Sequence, residues 1–597
     1  MRLMVELILL VAGVLGAGQA PDGTAIVRGR VVNAVTGKPL RGVTVRFTPP
    51  FESNRYRPPK RIATSDAGGS FELTALIAGE YSVSASPAGD YLEARFGQRA
   101  AGGGGRSLHV VDQARLDITL GAWPAARLSG RVIDEQGRRV VDARLILVTR
   151  HGGTVDSAAT DDRGEYEFAR LAPGDYAVGV PINLTSRTIK SASPPRAPGA
   201  YEPAFQPYLL DRAGRTILTT YGAPLPPPAR DGQPSVYITS FYGAGGFGDA
   251  RYIELVAGQS RGGVDVVLRD RPARRVSGVA TTPTGPVPGI VLVLSTDERT
   301  PWYVSDQITA TASADGSFVF VGVPDGSYRL TAYKRNPPFT EVSFAGAAPM
   351  IAQDDYVMGD KDVLHASLPF TVTGDQDGVD VFLQPGTPIG GRIILQDGTT
   401  PAFGNQPPRF TLLSTQDGRF SRTAPYIEIA PDGTFSGHAR PGSYVLDASG
   451  QVRGWSFTAA RANGMAVEGR TIEVGDTPVA LELTYSRGVT ALRGYVSDTR
   501  GSLTRDASIL VFPTDETTWD ADGAANVIRY ELPRRVAFDI PGLMTGDYYV
   551  VAIDETAGLV SRVPAGLRSL VPLATPVRIE PGEPVTVNLV MRDRPGR

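Results

Sequence analysis

Apolar and polar residues alternate in short runs along most of the chain, and glycine, proline and aspartate separate the runs. Residues 165–168 read Glu-Tyr-Glu-Phe, and a second alternating run starts at Tyr176, directly after a Pro-Gly-Asp turn. A period of two places every second side chain on one face of a β-strand, and the separating residues favour tight turns. This stretch therefore predicts a hairpin of two half-buried strands.

The second strand of this hairpin recurs along the chain. Each copy has a glycine two positions before a tyrosine, and the tyrosines are Tyr81, Tyr176, Tyr328, Tyr444 and Tyr548. Ahead of the first four copies, a turn containing aspartate and glycine leads into an aromatic residue: Phe71, Tyr166, Phe318 and Phe435. The tyrosines are roughly 95 to 150 residues apart, which is the size of a domain and longer than the repeat of a solenoid.

The repeats predict an all-β chain of five tandem Greek-key sandwiches with long loop insertions, which we call segments 1 to 5. Each segment opens on a strand with glycine ahead of an apolar residue and closes on an alternating valine and leucine strand. The predicted bounds are 24–122, 126–271, 274–386, 389–486 and 490–594, and segment 2 carries a proline-rich aromatic insertion at 181–250. About seven short strands per segment, without helical periodicity, favour antiparallel sandwiches.

The first 20 residues have the layout of a secretory signal peptide. Arg2 precedes an apolar run at 7–15, and small residues follow the run. An ordinary buried first strand is the alternative interpretation. We expect an exported mature chain, located in the periplasm, on the outer cell surface or outside the cell, with no transmembrane segment.

Composition narrows the classes of partner. The formal net charge of −2 provides no basic field, so we expect no nucleic-acid partner. The chain has no cysteine, which excludes disulfides and a cysteine nucleophile. Its 69 glycines and 48 prolines in 597 residues suit a turn-rich β protein and fall short of the roughly 25–30% that is typical of disorder.

The order of motifs resembles one known family. Gly-x-Val, Asp-Gly-x-Phe, Leu-x-Pro-Gly-x-Tyr-x-Val and a final Val-x-Leu are similar to the carboxypeptidase regulatory-like domain, most clearly in segments 2, 3 and 4 and partially in segment 5. The resemblance implies a transthyretin-like or immunoglobulin-like sandwich, which is grouped with carbohydrate-binding-like folds. It also implies a non-catalytic appendage of exported proteins.

Candidate chemistry is sparse. The four histidines, His109, His151, His365 and His438, fall in four different segments, and none forms the His-x-x-Glu pair of a zinc peptidase. The Asp-Gly turns offer too few carboxylates at fixed offsets for a calcium loop, so turn chemistry explains them. All five lysines lie in predicted turns or loops, which disfavours lysine to asparagine cross-links. We predict no enzyme, no cofactor and no metal site.

Aromatic residues on predicted loops are the candidate ligand contacts. They are Tyr201, Phe205, Tyr208, Phe241, Tyr242, Trp302, Tyr303 and Trp519. Such side chains at the end of a rigid sandwich suit a sugar or a peptide, and the alternative is that they cap their own segment or pack against the next one. The five repeated tyrosines are predicted to be structural corner residues, whose rings face the core and whose hydroxyls bond to backbone.

Together these patterns favour a non-catalytic exported scaffold or adhesion protein of the cell envelope or the extracellular space. Its partner would be an unidentified envelope protein or glycan. The alternative is a carbohydrate-binding protein that captures polysaccharide.

Overall fold

The computed structural model describes residues 23–49, 61–149, 154–188, 216–227, 232–243, 245–296, 307–334, 364–397, 399, 409–414, 426–447, 455–467, 471–487, 491–504, 507–516, 519, 527–532, 537–541, 543, 546–554, 564–580 and 584–592. Their regular structure is almost entirely β-strand, which confirms the all-β class. The only α-helix among them is α1 (Pro564–Leu570), followed by a 3-10 helix at Val571–Leu573. The chain divides into two compact units, 1–124 and 125–597.

The first unit contains two sheets around one apolar core. Its strands are β1 (Ala25–Asn33), β2 (Thr44–Thr48), β3 (Arg61–Thr64), β4 (Ser70–Leu76), β5 (Gly79–Ser86), β6 (Ala94–Arg95), β7 (Ser107–Val110) and β8 (Arg115–Ala122). One sheet has the order β4-β1-β8, and the other has the order β3-β2-β5-β6, with β7 also paired to β5. Alternate residues of both sheets, such as Val31, Phe47 and Val83, meet in the core because strand side chains alternate between faces.

The second unit contains the remaining strands. Segment 2 has β9 (Ala126–Asp134), β10 (Arg144–Thr149), β11 (Thr154–Ala159), β12 (Glu165–Leu171), β13 (Gly174–Val180), β14 (Asn183–Thr188), β15 (Thr216–Tyr221), β16 (Ser235–Ile238), β17 (Ser240–Phe241), β18 (Ile253–Leu255), β19 (Ser260–Arg261) and β20 (Val266–Pro272). Segment 3 has β21 (Arg274–Thr282), β22 (Gly285–Pro286), β23 (Ile290–Ser295), β24 (Gln307–Thr311), β25 (Ser317–Val323), β26 (Gly326–Lys334), β27 (Leu364–Val372), β28 (Gln376–Phe382) and β29 (Gln384–Pro385).

The last two segments follow the same plan. Segment 4 has β30 (Thr387–Leu395), β31 (Arg409–Ser414), β32 (Tyr426–Glu428), β33 (Thr434–Ala439), β34 (Gly442–Asp447), β35 (Trp455–Ala462), β36 (Met465–Ala466), β37 (Thr471–Val474) and β38 (Val479–Arg487). Segment 5 has β39 (Ala491–Ser497), β40 (Ala507–Pro513), β41 (Ile528–Glu531), β42 (Ala537–Pro541), β43 (Gly546–Asp554), β44 (Thr575–Ile579), β45 (Val585–Thr586) and β46 (Leu589–Val590).

The opening strand of every segment has the same two kinds of neighbour. Strands β1, β9, β21, β30 and β39 pair antiparallel with β4, β12, β25, β33 and β42, and parallel with the closing strands β8, β20, β28, β38 and β45–β46. The sequence favoured antiparallel sandwiches and did not predict this parallel pairing of opening and closing strands. In segment 1 the chain passes from β7 in one sheet to β8 in the other, and such a crossover allows parallel pairing.

The glycine of each opening strand leaves space for an aromatic ring and a backbone carbonyl. A Cβ atom built at Gly278 would lie 1.8 Å from the carbonyl oxygen of Val379 and 2.9 Å from Cζ of Phe318. Phe318 is also the residue paired with Gly278 in the neighbouring strand. The same pairing joins Gly29 to Phe71, Gly130 to Tyr166, Gly391 to Phe435 and Gly494 to Phe538. The Gly-x-Val and Asp-Gly-x-Phe motifs are thus two halves of one contact.

Part of the segment 2 insertion completes a sheet of segment 3. Strands β14 and β15 form a hairpin, and β14 pairs parallel with β24, so that Thr185 lies opposite Thr309. The resulting seven-stranded sheet has the order β15-β14-β24-β23-β26-β27-β29. Leu184 and Leu218 of the hairpin join an apolar core that runs from Ala126 to Leu383. Because segments 2 and 3 share a sheet and a core, the count of five separate sandwiches stays a prediction.

Both ends of this hairpin are fixed to segment 2. The amide of Ile182 donates to Oγ1 of Thr239 at 2.8 Å, and the amide of Arg144 donates to the carbonyl of Gly222 at 2.6 Å. Gly222 has a φ of +105°, and a Cβ atom there would lie 1.8 Å from the carbonyl oxygen of Pro181. The hairpin therefore connects segment 2 to segment 3 without a flexible hinge at its base.

Candidate functional surface in the insertion of segment 2

The repeated tyrosines occupy buried corners. The hydroxyls of Tyr81, Tyr176, Tyr328 and Tyr444 donate to the backbone carbonyls of Ile77, Ala172, Pro324 and Arg440, each four residues upstream, at 2.7 to 2.9 Å. All four rings, and that of Tyr548, are buried. Burial raises the pKa of the Tyr176 hydroxyl, so it stays a neutral donor. These hydroxyls bond to their own loops and face no open surface.

The aspartates of the Asp-Gly turns bond within the turns. The Oδ1 atom of Asp161 accepts the amides of Arg163 and Glu165 at 2.9 and 2.8 Å, and the bond from Glu165 contributes most to lowering the pKa of Asp161. Asp66 and Asp432 accept amides of their own turns in the same way. Within the described ranges, no group of three or more histidine, aspartate or glutamate side chains could hold a metal ion.

Two candidate ligand contacts lie in packed cores. Phe241 is 1% exposed and packs edge to face on Phe247, with the ring centroids 5.3 Å apart. Trp519 is 6% exposed, and its Nε1 donates to the carbonyl of Pro513 at 3.0 Å. As placed, neither ring can contact a ligand, because neighbouring side chains cover it. Phe241 caps the outer face of the β10–β13 sheet, beside Ile146.

Five further candidates lie outside the described residues: Tyr201, Phe205, Tyr208, Trp302 and Tyr303. Their part in ligand binding stays a prediction. The signal-peptide interpretation of residues 1–20 likewise falls outside the described residues.

Two candidate aromatics lie in the described part of the insertion. Phe241 is buried, whereas the ring of Tyr242 is half-buried. The guanidinium of Arg251, an exposed residue, lies over this ring at 6.0 Å from its centroid. Backbone bonds hold the two residues: the Tyr242 amide donates to the Val178 carbonyl at 2.9 Å, and the Arg251 amide donates to the Tyr242 carbonyl at 3.1 Å. We call Tyr242 and Arg251 the Tyr–Arg pair. The guanidinium lies over one face of the ring, and the ring packs against the core of segments 2 and 3. A polar ligand would therefore meet guanidinium donors beside the edge of the ring.

Sequence reasoning included Tyr242 and missed Arg251. Arg251 follows the glycine-rich turn that separates it from Tyr242, and the backbone bond between them shows that the two residues lie opposite each other. The strands on either side of this stretch, β17 and β18, both pair with β13, so the chain between them is a loop that returns to the same strand. The run of glycines after Tyr242 was the sequence signal for such a loop. Arg144, which lies 5.8 Å from the ring of Tyr221, forms a similar contact elsewhere in segment 2.

The family comparison matches one stretch of segment 2. Residues 127–189 match the sequence model of the carboxypeptidase regulatory-like domain. This match covers β9 to β14 and therefore includes the opening strand, the repeated hairpin and the first strand of the insertion. A search of curated proteins found no match.

Two pilins are among the solved structures with some likeness to the chain. The Bacillus anthracis TIE protein is 12% identical, with 61% of this chain and 51% of that chain covered and a TM-score of 0.15. A streptococcal ancillary pilin is 12% identical over 54% and 100%, with a TM-score of 0.17. The minor pilin GBS52 of Streptococcus agalactiae is 11% identical over 42% and 97%, with a TM-score of 0.19. The chain spans about half the length of the TIE protein. Scores this low carry no argument about function.

In the part of the chain that the structure describes, no helix is long and apolar enough to cross a membrane.

Proposed function

We propose that the protein is a non-catalytic, exported scaffold or adhesion protein that binds a protein of the cell envelope or extracellular space. The observation that carries this proposal is the continuous packing of segments 2, 3 and 4. One apolar core runs from Ala126 to Leu383, and another joins residues of segments 3 and 4. Segments packed in this way hold their surface loops in fixed relative positions, which suits a scaffold.

Charged side chains on the strand faces support the non-catalytic interpretation. Arg28 bonds Glu72 at 2.6 Å, Arg392 bonds Glu482 at 3.0 Å, and Arg493 bonds Asp539 at 3.1 Å, all between neighbouring strands. Arg127 and Glu167 form the corresponding pair in segment 2. These exposed carboxylates act as cross-strand partners, and pairs of this kind contribute little free energy individually.

A glycan-binding role is the second candidate, and the Tyr–Arg pair favours it. The exposed guanidinium of Arg251 can donate to sugar hydroxyls, and the edge of the Tyr242 ring offers an apolar contact beside it. The two candidates differ in what the partner is made of, and one experiment separates them.

Binding of the full mature chain to envelope fractions tests both candidates. The fractions are used intact, treated with protease, or treated with periodate to destroy sugars. The scaffold proposal expects binding that protease abolishes and that periodate leaves unchanged, because the partner is then a protein. The glycan candidate expects periodate to abolish binding and Tyr242→Ala to weaken it by about tenfold or more.

A matched control keeps this test interpretable. Met465, in segment 4, is 73% exposed, so Met465→Ala should change neither fold nor binding. No binding to any fraction at micromolar concentration would contradict both candidates. Binding that survives both treatments would contradict the protein and the sugar assignments alike.

We also propose five sandwiches with boundaries near Trp123, Pro272, Pro388 and Gly488. Limited proteolysis of the full chain should cut near the first and last boundaries, and it should release residues of about 126–486 as one fragment. The β14–β15 hairpin joins segments 2 and 3, and an apolar cluster joins segments 3 and 4. Mass spectrometry of the fragments gives their bounds. Early cleavage near Pro272 into two separate fragments would contradict the shared core.

An engineered disulfide tests the pairing of β14 of segment 2 with β24 of segment 3. Thr185 and Thr309 are hydrogen-bonded through their hydroxyls at 3.0 Å, and the natural chain has no cysteine. In oxidised Thr185→Cys/Thr309→Cys, the two halves should remain linked in denaturant after the chain is cut at a protease site introduced near Pro272, until reductant is added. The single variant Thr185→Cys is the control, and its halves should not be covalently linked.

A further inference from the structure

The outer face of the segment 3 sheet is covered by segment 4. Val293 on β23 and Tyr333 on β26 belong to the same apolar cluster as Phe410 and Phe435 of segment 4. The guanidinium of Arg440 lies over the ring of Tyr333, 5.6 Å from its centroid. We call this contact between segments 3 and 4 the joint.

A buried histidine lies in the joint. His365 on β27 is paired with Tyr333 on β26 and with Gln384 on β29. It is 8% exposed, and its Nδ1 atom has no hydrogen-bond partner among the described residues. A neutral imidazole tolerates such a site because one of its nitrogens carries no proton.

The charged and titratable groups around His365 come from both segments. Strand β26 presents Tyr333 and, farther along the same face, the exposed Arg329; β29 presents the neutral Gln384. Segment 4 presents Arg440 and the exposed Asp476, and His438 lies two positions before Arg440 in the chain. Arg440 opposes a positive charge on His365, and Asp476 favours one. The Nδ1 atom of His438 is also buried without a partner in the described structure.

We propose that the joint is a pH-sensitive contact, which stays closed while His365 is neutral and loosens when its imidazole is protonated. Protonation gives Nδ1 a hydrogen that has no acceptor among the described residues of the closed joint. It also places a cation in a buried site beside the guanidinium of Arg440. A buried unpaired donor and a buried unpaired charge are both unfavourable, and opening the joint hydrates both.

The direction of the pH effect follows from proton binding. Burial, with Arg440 as the second cause, lowers the pKa of His365 in the closed joint, whereas a hydrated histidine has a pKa of about 6.5. The open form therefore binds protons more readily than the closed form. Between the two pKa values, each unit of falling pH should raise the ratio of open to closed joint by up to about tenfold. Above about pH 7 the ratio should not change.

Distance measurements between two spin labels on the full chain test the proposal. Thr373 in segment 3 and Met465 in segment 4 are exposed, and cysteines introduced there are the only ones in the chain. The distance distribution is recorded from about pH 7.5 to about pH 5, which spans the titration of an ordinary histidine. The parent should give a narrow distribution at the upper end and a broader or longer one at the lower end.

Four variants assign the response to a residue. His365→Gln and His365→Phe remove the titrating group, and both should keep the narrow distribution at every pH. The glutamine is polar and the phenylalanine apolar, so the second variant decides if the first does not pack. His438→Gln and His109→Gln are the controls, and both should respond like the parent; His109 is exposed and paired with Glu80 in segment 1.

Several results would overturn the proposal. One is a parent distribution that is independent of pH. Another is the same pH response in the parent and in both His365 variants. A third is a response lost in His438→Gln and kept in the His365 variants, because the sensing group would then be His438. The inference concerns the joint itself and stands whether the partner is a protein or a glycan.

Discussion

Replacing Tyr176 by alanine should lower the local free energy of unfolding of segment 2 by about 3–5 kcal/mol. The ring is 4% exposed and belongs to the apolar core beside Leu147 and Val178. Its removal leaves a cavity that neighbouring strands fill only partly. It also removes the donor to the carbonyl of Ala172. A loss of this size is a large part of the stability of an ordinary domain.

Hydrogen exchange read by mass spectrometry on the full chain measures this loss. Peptides from β12 and β13 should exchange faster in Tyr176→Ala, while peptides from β1 and β4 in the other compact unit should exchange as in the parent. The matched variant Tyr176→Phe keeps the ring and removes only the hydroxyl, so it should cost about 0.5–1.5 kcal/mol. If Tyr176→Phe left exchange unchanged and abolished binding to an envelope fraction, the tyrosine would be a ligand contact and the corner assignment would be wrong.

Gly278→Ala should lower the local free energy of unfolding of segment 3 by about 3 kcal/mol, at the upper end of the range for overpacking. The added Cβ would lie 1.8 Å from the carbonyl oxygen of Val379. That oxygen belongs to the backbone of the paired closing strand, so relief requires moving β28 away from β21. Peptides from these two strands should lose protection together in hydrogen exchange.

Gly374→Ala is the matched control in the same segment. A Cβ atom at Gly374 has no neighbour within 4 Å, so this variant should lie within about 0.5 kcal/mol of the parent. Adding Phe318→Leu to Gly278→Ala removes the ring contact and leaves the carbonyl contact, and it should therefore restore little stability. Equal exchange in Gly278→Ala and the parent would show that the opening glycine is replaceable and that close approach is not its role.

Local sequence determined the secondary structure and the corners of this protein. Alternation with a period of two decides which face of a strand a side chain occupies, and turn residues decide where the chain reverses. Both are properties of a few neighbouring residues, which is why the hairpin around Tyr176 could be predicted. The aspartates of the Asp-Gly turns bond to amides two and four residues away, and the corner hydroxyls bond four residues upstream.

Tertiary structure alone decided which strands are neighbours. Periodicity gives the face of a strand and contains no information on its partner, so the parallel closing strands and the donation of β14 to segment 3 could not be read from the pattern. The contact between Gly278 and Phe318 joins two motifs that are distant in sequence and adjacent only through pairing of β21 with β25. The sequence contained both motifs, and pairing explained why they occur together.

The candidate site shows the same division. Phe241 and Tyr242 are neighbours in a stretch with apolar residues at both alternating positions. The sequence pattern therefore did not show which of the two rings would be buried. The sheet of β10 and β13 covers Phe241, whereas the half-buried ring of Tyr242 meets Arg251 across a turn. By itself the sequence determined an all-β chain with repeated hairpins, because those features depend on neighbouring residues. Strand partners and the burial of each aromatic ring depend on contacts between distant residues, and only the folded chain decided them.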